Sequence, residues 1–215
     1  MIDRFIAIVV EGAVLVSALA SPATAQTRVE IAATIGRYAP LGSFEPASVY
    51  SVRLPMDASS LSGTAFGGQL RLWATPRLGI QIAGTTASSS VGGGLVPFGY
   101  DVAATSARVS MATAELLFQL TGVNHRARVW LGAGGAAVRH GGEAYAPFGN
   151  PVNYGGAAGV GSAIRLAGPL NVELGVTTVV YRMNMRGTAA TDIGLMERGT
   201  QVDALFHTGL SYSWR

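Results

Sequence analysis

The feature that most constrains this chain is a period of two. In residues 201–215, Val202, Ala204, Phe206, Thr208, Leu210, Tyr212 and Trp214 are apolar or aromatic apart from one threonine, and the residues between them are almost wholly small or polar. That spacing builds a strand with one apolar and one polar face. Comparable alternation recurs at about 28–36, 65–74, 78–88, 106–120, 126–139, 154–166 and 170–183, so eight strands are expected. A further short strand at 49–54 is left open.

The connections alternate as regularly as the residues. Segments 37–64, 89–105, 140–153 and 184–200 are long and rich in Gly, Pro and Ser, and 75–77, 121–125 and 167–169 are tight turns. Gly92, Gly93 and Gly94 are expected to keep 89–105 out of regular pairing. In an up-and-down antiparallel sheet this arrangement gathers the long loops at one end and the turns at the other.

Composition decides what covers the apolar faces. Hydrophobic residues make up 49% of the chain and charged residues only 13%, against roughly 25% charged in an ordinary soluble domain. Past the N-terminal stretch there is no run of about 20 apolar residues that could form a spanning helix. The 29 glycines also oppose long helices. What remains is a packed β domain or a barrel whose outer face meets lipid. There is no cysteine, which excludes disulfides and thiolate chemistry. The net charge is +3, and all 15 basic residues are arginines without a basic cluster, which does not suggest a nucleic-acid surface.

Residues 1–25 read as an export signal. Arg4 precedes the mostly apolar stretch 5–20, and Ala23, Thr24 and Ala25 suit a small-x-small cleavage site, although Asp3 and Glu11 depart from the pattern. The expected organisation is a signal peptide at 1–25 and one β domain at 26–215.

With the signal, the eight alternating segments and the closing strand in view, the chain resembles small outer-membrane β-barrels of the OmpA/OmpX kind. The resemblance spans about residues 26–215. It implies an all-β, eight-stranded antiparallel up-and-down transmembrane barrel in the outer membrane. It also implies contact with outer-membrane lipid and lipopolysaccharide, and recognition by the barrel-insertion machinery through Leu210, Tyr212 and Trp214. Arg215, after the terminal aromatic, departs from the family pattern.

If the apolar faces meet lipid, Glu30, Arg71, Gln81, Glu115, Arg128, Arg165, Asn171 and Glu173 point inward, all toward the short-turn end. Glu30, Glu115 and Glu173 with Arg71, Arg128 and Arg165 are expected to form a charge network. Trp73 and Trp130 are expected to fill space at the same level. An eight-stranded barrel is only just wide enough for its own side chains, so the lumen should be polar and plugged. Phe66, Phe118, Tyr154, Tyr212 and Trp214 fit interfacial girdles.

Candidate chemistry is sparse. His207 faces inward, but the nearest serine on its strand, Ser211, lies roughly 13 Å along, too far for a Ser–His pair. The run 132–137, GAGGAA, matches a loose dinucleotide fingerprint but lies within an alternating strand, where it suits close strand packing. His125, His140 and His207 fall in a turn, a loop and the lumen, with no metal-ligand spacing. No catalytic residue, metal or cofactor is expected. The reading is a monomeric, non-enzymatic structural or surface-interaction barrel whose external ligand the sequence does not identify. A small ion or solute pore, a lipid A-modifying enzyme and a soluble lipocalin-like barrel are the alternatives.

Overall fold

The computed structural model describes residues 27–41, 56–60, 62–95, 100–122, 125–148, 152–183 and 200–214. The signal peptide expected at 1–25, the segment 49–54, most of the loop at 184–200 and Arg215 lie outside the described residues. Among the described residues there are nine strands: β1 (Arg28–Pro40), β2 (Met56–Ser60), β3 (Gly63–Trp73), β4 (Leu78–Leu95), β5 (Tyr100–Gln119), β6 (Ala127–Gly141), β7 (Val152–Ala167), β8 (Leu170–Arg182) and β9 (Thr200–Trp214). A 3-10 helix spans Glu143–Phe148.

Eight of these strands close on themselves. β1 pairs antiparallel with both β3 and β9, neighbours in sequence pair around the rest of the sheet, and β4–β5 completes the ring. The paired residues Ile31, Leu70, Ile82, Ala114, Gly135, Gly156, Val180 and Val202 follow one line round the sheet. The line returns at Leu41, whose N–H donates to the Val202 carbonyl (2.8 Å), ten residues beyond Ile31. Ten residues of stagger over eight strands tilts the strands by about 40°.

The alternation sorts outside from inside. Ile31, Leu70, Ile82, Leu116, Leu131, Val160, Leu174 and Leu210 are exposed on the outer face, Leu116 by 67% and Leu174 by 55%. Around the wall, the exposed apolar residues form a belt roughly 25 Å high at that tilt, the height of a bilayer's apolar band. Tyr212 and Trp214, with ring centroids 5.8 Å apart, stand at its short-turn edge. Phe66 and Tyr154 stand toward the long-loop edge, each more than half exposed. No helix among the described residues is long and apolar enough to cross a membrane.

Two expectations are corrected. β4 and β5 run far into the segment expected to be a loop, and Gly92–Gly94 pair with β2 on one side and mostly with β5 on the other. Backbone bonds on both edges hold the strand there, and the irregularity is confined to a register shift between Val91 and Gly93. β6 likewise continues through His140 into Gly141, so that histidine is buried on a strand and not in a loop.

Substituting Leu116, at mid-belt, by arginine is expected to destabilise the barrel by about 2–4 kcal/mol. Reversible urea unfolding in lipid vesicles would measure the loss, and a neutral effect would mean that this face is not in lipid.

Candidate functional site

The register builds the interior charge cluster from neighbouring strands. Glu30 pairs across the ladder with Arg71, Arg71 with Gln81, and Gln81 with Glu115, giving one row of inward polar side chains on β1, β3, β4 and β5. Glu173 on β8 and Arg128 on β6 reach the row from other walls. All six side chains are buried.

Arg71 is the hub. Its Nη1 and Nη2 donate to the two carboxylate oxygens of Glu173 at 2.5 and 2.6 Å, a bidentate fork. Nε donates to Gln81 Oε1 (2.6 Å), Nη1 also reaches Glu30 Oε2 (3.4 Å), and Nη2 donates to Gln69 Oε1. The donors of one guanidinium are thereby directed to four buried side chains. Glu30 is the second node. It accepts from Arg71 and from Arg128 Nη1, and it forms an ion pair with Arg28, whose Nε lies 2.9 Å away. Glu115 makes no ion pair among the described residues; Thr113 Oγ1 (2.8 Å) and Gln81 Nε2 (3.5 Å) donate to it.

Trp73 and Trp130 complete this layer. Their rings meet edge to face, with centroids 6.4 Å apart and planes at 79°. The Arg28 guanidinium lies over Trp73 at 4.8 Å and that of Arg71 over Trp130 at 4.5 Å, cation–π contacts in a site shielded from water. Gly161 lies against the Trp130 indole, and a Cβ there would collide with it.

Arg165 does not join the cluster. It is exposed just past the last β6–β7 pair, Ala127–Ile164, beside a register shift between Arg165 and Ala167. It keeps the parity of the inward residues of β7, but it stands at the turn end, beyond that last pair. Arg28 is the third cluster arginine instead, with Gln119 Oε1 accepting from its Nη2 (3.0 Å).

The long-loop half of the interior departs further from the sequence reading. In place of a polar lumen, Tyr38, Val109, Met111, Val138, Tyr145, Val179, Tyr181 and Leu205 form an apolar cluster. A small polar set is threaded through it. Tyr181 Oη donates to Asp203 Oδ2 (2.8 Å) and lies 3.0 Å from His140 Nε2, Gln201 Nε2 donates to Asp203 Oδ1 (3.0 Å), and Asn153 lies 3.4 Å from His140 Nδ1. The ends of segments read as loops supply Tyr38, His140, Tyr145 and Asn153, so no inside face could be assigned to them from sequence.

Between the layers lies a cavity of about 20 Å³, lined by residues including Gln69, Thr85, Thr113, Thr177 and His207, with room for one or two waters. His207 Nε2 is 3.3 Å from Gln69 Nε2, and no hydroxyl or carboxylate partner reaches its Nδ1. Gly132–Ala137 lies within β6 and is followed directly by four more strand residues, not by the N-terminus of a helix that could cradle a phosphate. Among the described residues, no group of three His, Asp or Glu is placed to hold a metal ion.

The fold defines a class. A closed antiparallel up-and-down barrel of eight strands with a lipid-facing apolar belt is a transmembrane barrel of the outer-membrane type. The outer membrane protein OprG of Pseudomonas aeruginosa superimposes with a TM-score of 0.61 at 13% identity, over 87% of this chain and 96% of that one. The outer membrane protein AlkL, solved in lipid bilayers, superimposes with a TM-score of 0.57 at 12% identity, over 91% and 93% of the two chains. At these identities the likeness is one of fold. No family model matches the chain, and no curated protein matches it in sequence.

Replacing Arg71 by methionine leaves Glu173 without its fork and removes one of the cations around Glu30. The expected cost is about 3–5 kcal/mol, as for other broken buried pairs. Urea unfolding of the refolded barrel reads it, and a loss under about 1 kcal/mol would assign the cluster no more than surface-pair strength.

Proposed function

We propose that the protein is an outer-membrane barrel with a closed interior, acting as a structural or surface-interaction protein through its external connections. The observation that carries this reading is the doubly blocked lumen. The Arg71–Glu30–Glu173 cluster and two tryptophans fill the turn end, and tyrosines, methionine and valines fill the loop end. The cavity between them is about 20 Å³, far too small for a solute path. Among the described residues, no hydroxyl or carboxylate partner meets His207 Nδ1, so no Ser–His–acid constellation is assembled around that histidine.

On this reading residues 1–25 are a signal removed on export and 26–215 form the barrel. Leu210, Tyr212 and Trp214, on the outer face of the strand that closes the ring, are what the insertion machinery reads. The barrel works as a monomer in outer-membrane lipid and lipopolysaccharide, with no cofactor. Its long connections meet a partner whose chemistry lies in those segments.

Two measurements test the proposal. The folded barrel should migrate differently on gels before and after boiling, because a closed hydrogen-bonded ring resists detergent. In planar bilayers it should show no steady single-channel conductance. Regular, sizeable channels from the unmodified protein would replace this reading with that of a small pore.

A further inference from the structure

Among the described side chains, the charges exposed at the surface are nearly all arginines. Among the described residues, Glu30, Glu115, Glu173 and Asp203 are buried inside the wall, and Glu143 is the exposed carboxylate whose side chain is described. Exposed arginines stand at both rims. Arg77, Arg126 and Arg165 are at the turn end, and Arg37, Arg108, Arg139 and Arg182 are at the loop end, just above the apolar belt.

The loop-end arginines are unevenly placed. Arg108 pairs with Gly141 and Arg139 with Ser110, so the two are diagonal neighbours on β5 and β6, about 7–8 Å apart. On β7, Tyr154 lies one residue beyond the first β7–β8 pair, Gly155–Tyr181, which puts it level with Arg182 on β8, and it is 56% exposed. The same level of β3 and β4 carries hydroxyls, Thr64, Thr86 and Ser88. Arg37 on β1 is bonded to Ser62 Oγ (2.6 Å). Arg108, Arg139 and Arg182 meet no carboxylate among the described residues.

We infer that the outer face of β5–β8 at the loop end is a binding surface for the phosphates of lipid A, the bisphosphorylated glycolipid anchor of lipopolysaccharide. This rests on the outer-membrane reading above, which places the loop end in the outer leaflet. Two guanidinium groups on adjacent strands can present paired donors to one phosphate. Arg182, beyond Tyr154, stands apart from them, as the second phosphate of a disaccharide stands apart from the first. Tyr154 offers an aromatic ring at headgroup level, where such rings settle. A cationic rim adjoining an apolar belt complements a lipid whose phosphates sit directly over its acyl chains. Each such arginine near an anionic surface strengthens its hold on the lipid roughly fivefold.

The test uses the full barrel in phosphatidylcholine nanodiscs doped with bisphosphorylated lipid A, monophosphorylated lipid A or phosphatidylglycerol. Native mass spectrometry of the released protein counts the lipid it retains. Bisphosphorylated lipid A should be retained in preference to phosphatidylglycerol, and R108Q/R139Q should lower its retention roughly tenfold or more. R182Q should narrow the preference for two phosphates over one, and R77Q/R126Q/R165Q should change nothing. Equal retention of phosphatidylglycerol, an equal loss in the turn-end triple variant, or full retention in R108Q/R139Q would each overturn the inference. Boiled and unboiled gel mobility of every protein separates the two readings. Normal heat-dependent mobility with failed retention leaves the barrel standing without its lipid site, and an unmodified protein that never inserts removes both.

Discussion

The constraint on which the structure depends is that a backbone in lipid must satisfy its own hydrogen bonds. A strand at bilayer depth has no water to accept its edge groups, so a sheet there is stable only when its last strand returns to its first. In this chain the seam is β1 with β9, twelve residue pairs from Val29–Trp214 to Pro40–Asp203. The other properties follow from closure. Eight strands staggered by ten residues enclose a narrow interior. A narrow interior cannot hold bulk water, and charged residues pointing into it must be paired.

That necessity explains how the interior is divided. At the turn end, one ladder row supplies Glu30, Arg71, Gln81 and Glu115, and the opposite wall supplies Glu173 and Arg128. The ions are stacked on Trp73 and Trp130, whose rings exclude water from the pairs. At the loop end nearly the same job is done by apolar packing, with only the Tyr181–Asp203–His140 group polar. Burying ions is costly and carries a stability benefit only with full pairing. The bidentate Arg71–Glu173 fork and the triply contacted Glu30 meet that condition.

Much of this was legible in the sequence, because a lipid-facing wall imposes the same period on every strand. Leu116, Leu131, Leu174 and Leu210 could be placed outside, and Glu30, Arg71, Arg128 and Glu173 inside, from parity alone. Parity failed where the ladder is irregular or where its end was misplaced. Arg165 keeps the inward parity of β7 but lies past the last β6–β7 pair, so it faces water. Tyr38, His140, Tyr145 and Asn153 lie in stretches rich in glycine, proline or small residues that gave no reason to expect strand or packed helix. They therefore held no inward assignment. The apolar upper interior was invisible for a deeper reason. When both faces of a strand are apolar, as around Val179 and Val180, alternation carries no information about which side is the inside.

The Arg71 fork bears on how such a chain is assembled. Arg71 and Glu173 are separated by 102 residues, and Glu30 and Arg128 by 98, so the cluster draws on the first, middle and last parts of the chain. While the sheet is still open, these ions face a surface that is not yet a lumen; Glu30 has Arg28 and Arg71 close by, but Arg71 lacks its Glu173 fork and Glu30 lacks Arg128. Ring closure therefore completes the charge neutralisation. A sheet closed out of register by one residue would turn Glu30 or Glu173 toward lipid, where no arginine waits. The cluster thus works as a proofreading device for the seam, and its contribution is greatest at the moment the barrel commits to its final shape.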